Sequence, residues 1–116
     1  MKGNKIMSKI EFNIAKEYTK TPGGRYIYEG PYSGEDFRNT KLKPIFNHAI
    51  AEGKTLVVIL DGGYGYSPSF LEESFGGLVR ETKDFRVAQI EIISEEEPEQ
   101  IEKIKGYIND ELRKLK

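Results

Sequence analysis

The sequence predicts an α/β domain: an N-terminal β-hairpin followed by α-β-α-β-α, with a mostly parallel four-stranded sheet and helices packed on it. Three observations carry this prediction. An alternating apolar run opens the chain at Ile6–Ala15, an unbroken apolar run Thr55–Leu60 lies in the middle, and stretches of helical period separate and follow the extended runs. The length of 116 residues suits one domain over 1–116, since typical domains hold roughly 100–150 residues.

In Ile6–Ala15, Ile6, Ser8, Ile10, Phe12 and Ile14 share one face and Met7, Lys9, Glu11, Asn13 and Ala15 the other, the period of a half-buried strand. Thr21-Pro22-Gly23-Gly24 is turn chemistry, and Arg25–Glu29 after it is rich in strand formers, so the two runs are expected to pair as a hairpin that Gly30-Pro31 ends. At Ser33 the period changes. Ser33-Gly34-Glu35-Asp36 fits a capping box, and a helix is expected to run towards Glu52, kinked or split near Lys43 by Pro44, with Gly53 as its C-cap. Thr55–Leu60 lacks alternation, as a central parallel strand covered on both faces does.

Asp61–Pro68 is a glycine-rich connection into a second helix. Ser69 and Glu72 are its expected capping box, and Phe70, Leu71, Phe75, Leu78 and Val79 its apolar face. Gly76-Gly77 inside that helix costs roughly 1 kcal/mol per glycine relative to alanine, which predicts close approach to the sheet. Phe85–Ile93 reads as another strand. Ile101, Ile104, Ile108, Leu112 and Leu115 then mark a final helix, whose N-terminus suits the acidic run Ser94–Glu99.

Composition removes several function classes. With no cysteine there is no disulfide framework, thiolate metal site or thiol nucleophile. One histidine, His48, cannot make a two-histidine zinc site, and it is read as a helix-surface or partly buried residue, so neither metal nor cofactor is expected. Residues 1–58 hold ten Lys/Arg against six Asp/Glu, and residues 59–116 eight against thirteen. The basic clusters sit only at the ends, Lys2, Lys5 and Lys9, and Arg113, Lys114 and Lys116, which does not make a nucleic-acid track. The opening MKGNKIMSK is too polar for a signal peptide and no run approaches the roughly 20 apolar residues of a membrane span, so a cytoplasmic location is expected.

The loop from Asp61 to Ser69 is the candidate site, because ligands and partners of open α/β sheets gather where a strand's carboxyl end opens a helix. It lacks the lysine of a phosphate-binding P-loop, and Gly63-Tyr64-Gly65 lacks the third glycine of a dinucleotide fingerprint. Ser67 and Ser69 have only distant His48 as an imidazole partner, and Asp61-Gly62 is a turn former before it is a general base. A non-enzymatic protein is therefore expected. Asp61, Gly62, Gly63, Tyr64, Gly65, Tyr66, Ser67 and Phe70 are its candidate binding residues, with Tyr64, Tyr66 and Phe70 as aromatic anchors. The alternative is a nucleotide or small anionic ligand held by the N–H groups of Gly62, Gly63 and Gly65, with Arg25 or Arg38 supplying charge. A homodimer is a further expectation, from Tyr107 and Ile108 beside the stripe of the last helix and from the hairpin's free edge.

Ser33–Arg38, Leu42-Lys43-Pro44, Val57–Gly62 and above all Ser67-Pro68-Ser69-Phe70-Leu71-Glu72-Glu73-Ser74-Phe75-Gly76-Gly77-Leu78 resemble a bacterial STAS-like family of unknown function, over roughly residues 24–93. STAS domains are named for sulfate transporters and anti-sigma factor antagonists. In the antagonists an Asp-Ser-Ser-Gly-Leu motif at this junction carries a serine that a partner kinase phosphorylates. The resemblance implies that Ser69 takes the phosphoacceptor place, with Ser67, Pro68 and Phe70 standing for the aspartate, serine and glycine. It further implies a partner-switching regulatory module whose protein partner is a histidine-kinase-like ATPase. The commoner role for Ser69 is that of an N-cap alone.

Overall fold

A computed structural model describes residues 8–116. Ile6 and Met7 of the expected first strand lie outside the described residues. Strand β1 is Lys9–Asn13, followed at once by a single helical turn α1, Ile14–Glu17, because the Asn13 side chain accepts from the Lys16 N–H at 3.0 Å and starts a helix there. Helices α2, Gly34–Phe37, and α3, Lys43–Glu52, are joined by a π turn, Arg38–Leu42. Then come β2, Thr55–Ile59, helices α4, Pro68–Leu71, and α5, Gly77–Thr82, joined by a second π turn, Glu72–Gly76, strand β3, Glu91–Ile93, and helix α6, Glu99–Arg113.

Among the described residues the sheet has three strands in the order β1-β2-β3, all parallel, and the expected hairpin and its fourth strand are absent. Residues 25–29 hold strand formers, yet their backbone donors are taken by carboxylates: Glu29 folds back to accept from the N–H groups of Arg25 and Tyr26 at 2.9 and 3.1 Å, and Glu35 accepts from Ile27 at 3.0 Å. That closes a 3₁₀ turn over Ile27–Glu29. Strand β1 instead pairs with β2, extended by the Thr55 N–H donating to the Ser8 carbonyl. Phe85–Ile93 is likewise a strand only at its end, since Asp84 caps a 3₁₀ helix, Phe85–Gln89, by accepting from the Arg86 N–H at 2.8 Å.

Alternation places Phe12, Leu56, Val58, Leu60 and Ile92 in one core with Phe37, Phe46, Phe70, Phe75, Ile104 and Ile108. The opposite face carries Lys9, Glu11 and Glu91, and the Lys9–Glu91 ion pair spans β2 at 3.2 Å. Val57 sits on that face in register with Glu11 and Glu91 and outside the core cluster. Val57 is nonetheless only 1% exposed, so β2 is covered on both faces, as its unbroken apolar run predicts.

The helical run changes at Lys43, as Pro44 predicts, by way of a π turn with no loss of continuity. The π turn before Pro44 lets Lys43 donate to the Arg38 carbonyl, five residues back, and the widened turn makes room where a proline ring would clash in a regular helix. Gly53 closes α3 at φ 66°, as expected of a left-handed cap. His48 is exposed. Tyr107 packs partly buried against the core and Ile108 is buried within it. Among the described residues no helix is long and apolar enough to cross a membrane.

The N-cap of the second helix is Ser67: its hydroxyl oxygen accepts from the Phe70 N–H at 3.0 Å and Pro68 takes the first helical position. Ser69 lies one residue further in, half-buried, and Glu72 closes no capping box with it. Accordingly Ser67→Ala should lower stability by about 1 kcal/mol, while Ser69→Ala should stay within about 0.5 kcal/mol of wild type in urea unfolding.

Candidate functional site

All three strands run parallel, so the segments leaving their carboxyl ends meet at one edge of the sheet: Tyr18–Ser33 after α1, Leu60–Ser67 after β2 and Ser94–Pro98 after β3. Side-chain to backbone bonds tie them together. The two oxygens of Asp61 accept from the N–H groups of Glu95 and Glu96 at 3.0 and 2.9 Å, and Glu96 in return accepts from the Gly62 N–H at 3.0 Å. Tyr64 donates its N–H to the Lys20 carbonyl, and the Ser67 hydroxyl reaches the Gly23 carbonyl at 3.3 Å. Gly62 and Gly65 stand at φ 100° and 116°, where side chains are strained.

Within this loop the expected residues separate by role. Tyr64 is 83% exposed. Tyr66 is half-buried, its hydroxyl donating to the Leu60 carbonyl at 2.8 Å and its ring tilted on Phe70. Burial, then the charges of Asp61, Glu96 and Glu97, push its phenol far above its ordinary range, so it remains a donor. Phe70 is wholly buried and stacked on Phe37 at 5.6 Å, so it is a core residue and no surface anchor. Asp61 spends both oxygens on backbone donors and acts as a clamp between the two loops.

A concavity of about 210 Å³ at the loop is lined by Asp61, Tyr64, Tyr66, Ser94, Glu96 and Glu97. Three carboxylates line it and the Gly62 N–H is already used, which makes it a poor receptacle for a phosphate or any other anion. Arg25 and Arg38 are no help to such a ligand, because both face the second π turn. Arg38, 6% exposed, donates to the Glu73 carboxylate at 2.6 Å and to the Glu73 carbonyl at 3.2 Å. Arg25 meets Glu72 and Glu73 at 2.5 and 3.1 Å, and Arg80 reaches Glu72 at 2.8 Å and Glu111 at 3.2 Å.

This charge cluster went unread in the sequence. Its signal was the pair Glu72-Glu73 one turn ahead of Gly76-Gly77. A Cβ on Gly77 would come within 2.6 Å of the Arg38 guanidinium and one on Gly76 within 2.5 Å of Glu72, so the glycines make room for the ion network, where closeness to the sheet was expected.

A three-stranded parallel sheet with helices on its core face, and a serine-capped helix opening from the central strand's carboxyl end, defines a small STAS-like α/β domain. Residues 33–100 match the family described as a STAS-like domain of unknown function (DUF4325). The match spans more than half of the chain, from the N-cap of α2 into α6, and the chain belongs to that family. No curated protein and no solved structure matches it.

Two measurements probe the charge cluster. Gly77→Ala, which raises intrinsic helix propensity, should instead destabilise by about 1–3 kcal/mol in urea unfolding, because its methyl group meets a buried guanidinium pinned by Glu73. The second concerns acid. Arg80, and then Arg25, hold the Glu72 carboxyl below its ordinary value against the opposing effect of burial. A depressed carboxyl contributes stability that is complete above its unfolded pKa of about 4.3 and is lost as pH falls through the lower folded value. The melting temperature should therefore fall below about pH 4.3, and Glu72→Gln should flatten that fall.

Proposed function

We propose that this chain is a non-enzymatic, partner-binding regulatory module that docks protein at the carboxyl edge of its sheet. The observation that carries this reading is Tyr64, 83% exposed on a loop fixed at its ends by the Asp61 clamp and the Ser67 cap. An exposed tyrosine on a preorganised loop loses little freedom on binding, and tyrosine is enriched among residues that dominate interfaces. The family resemblance suggests a histidine-kinase-like ATPase as the partner and Ser69 as its phosphoacceptor. In support, Ser69 lies in the first turn of the continuous helical run Pro68–Thr82 and is not the residue that caps it. A phosphate there would meet the positive end of the helix dipole.

Tyr64→Ala should fold as wild type and weaken partner binding by at least about tenfold, as loss of an interface anchor does. Affinity capture from native lysate followed by titration calorimetry on the recovered protein measures this, and equal affinities would remove the loop from the interface. Intact-mass analysis after incubation with ATP and that protein should show one added phosphate, absent from Ser69→Ala.

A further inference from the structure

Beside the Tyr64 loop lies a shallow groove of about 440 Å³ between the 3₁₀ turn Ile27–Glu29 and the start of α2, with Ile27, Pro31, Tyr32 and Asp36 among its walls. Ile27 and Tyr32 are 53% and 45% exposed. The groove is continuous with the proposed interface, because Gly23, whose N–H donates to the Tyr32 carbonyl, also accepts from Ser67. Tyr32 is held in a conformation rare for a residue with a side chain, φ 58°, with its ring edge-to-face on Tyr18 at 5.5 Å. Such strain persists only where the surroundings over-determine it, and it clusters at sites of function.

The polar end of the groove is acidic. One oxygen of Asp36 accepts from the Tyr18 hydroxyl at 2.5 Å, and among the described residues the other accepts no hydrogen bond. Burial and this bond push the Tyr18 phenol far up, so it stays a donor and Asp36 keeps its place. Glu29 and Glu35 flank the groove, each spent on backbone N–H groups, and Arg25, which precedes the 3₁₀ turn, is directed to Glu72 and Glu73.

We propose that this groove receives an arginine from a basic segment of the protein partner, its stem along Ile27 and Pro31, its guanidinium over the Tyr32 ring and donating to the free oxygen of Asp36. Apolar walls, an aromatic face and a carboxylate in one groove match the three parts of an arginine side chain, and the uncompensated negative charge around them selects a cation. Arginine is preferred to lysine because its planar head stacks on a ring while it donates in that plane. The inference rests on the partner-binding reading and names the chemistry of the partner.

The test is a ¹⁵N–¹H NMR titration of the full chain with a short peptide of alternating glycine and arginine, and with its lysine and glutamate counterparts. Saturable shifts are expected at the amides of Ile27, Gly30, Tyr32 and Asp36, with the lysine peptide several-fold weaker and the glutamate peptide silent. Asp36→Asn, which still offers Tyr18 an acceptor, should weaken the arginine peptide about tenfold, as loss of a charged hydrogen bond does. Ile27→Ala, at an exposed site, should weaken it several-fold and serves if Asp36→Asn does not fold. Shifts centred on the acidic run Glu95–Glu102, equal affinity for wild type and both variants, or no saturable shift would each overturn the proposal. A captured partner lost by Tyr64→Ala but bound normally by Asp36→Asn would overturn this inference and leave the partner-binding reading standing. A captured partner lost by Asp36→Asn but bound normally by Tyr64→Ala would do the reverse, taking the Tyr64 loop out of the interface and leaving the arginine groove in it.

Discussion

The ion pair between Arg38 and Glu73 is the contact on which the arrangement of this domain depends. Both residues are more than nine-tenths buried, and each lies in a π turn, one in each of the two helices that cross between strands. A π turn widens the helix and loosens its regular bonding, and the Glu73 carbonyl, inside the second such turn, accepts from Arg38 in addition to the carboxylate contact. Gly77 leaves the space in which the guanidinium lies. A buried pair of this kind adds little net stability over an apolar pair of the same shape, but removing one partner strands a charge at a cost of about 3–5 kcal/mol. It therefore selects one packing of the helices over its alternatives.

Everything at the carboxyl edge is positioned from there. Glu73 also holds Arg25, which leads into the turn that carries Tyr26 and Tyr28. The backbone before that turn pairs with the start of α2, since the N–H groups of Gly34 and Glu35 donate to the carbonyls of Gly24 and Arg25. A Cβ on Gly34 would lie 2.5 Å from the Phe70 carbonyl, so α2 and the helix opened by Ser67 touch backbone to backbone. The exposed aromatics thus stand on a rigid support although they lie in irregular chain, the preorganisation that the proposed recognition role calls for.

The same edge explains why an anionic ligand suits the molecule poorly. Open parallel sheets gather ligands at their carboxyl ends because helix N-termini point N–H groups there. Here Glu96 occupies the Gly62 N–H and Asp61 those of Glu95 and Glu96. The loops satisfy each other, and the charge left facing solvent is negative.

Local signals were sufficient for part of this structure. The parallel β2, Gly53 as a left-handed cap, the α6 stripe of Ile104, Ile108 and Leu112 and the Ser33 cap were legible because each is set by residues within one or two turns of itself. The family was legible too, since the run from Ser67 to Leu78 combines a cap, core aromatics, paired acids and paired glycines in one stretch. Ser67, followed by Pro68, is the local cap signal in place of Ser69. Two features were decided by tertiary structure: Arg25–Glu29 is a turn because Glu29 and Glu35 take its backbone donors, and Gly76-Gly77 serves an ion network two of whose arginines lie about 40 and 50 residues earlier in the chain. Propensity records what a residue prefers among its neighbours, whereas the partner that a carboxylate or a guanidinium finds depends on which distant turn the folded chain brings beside it.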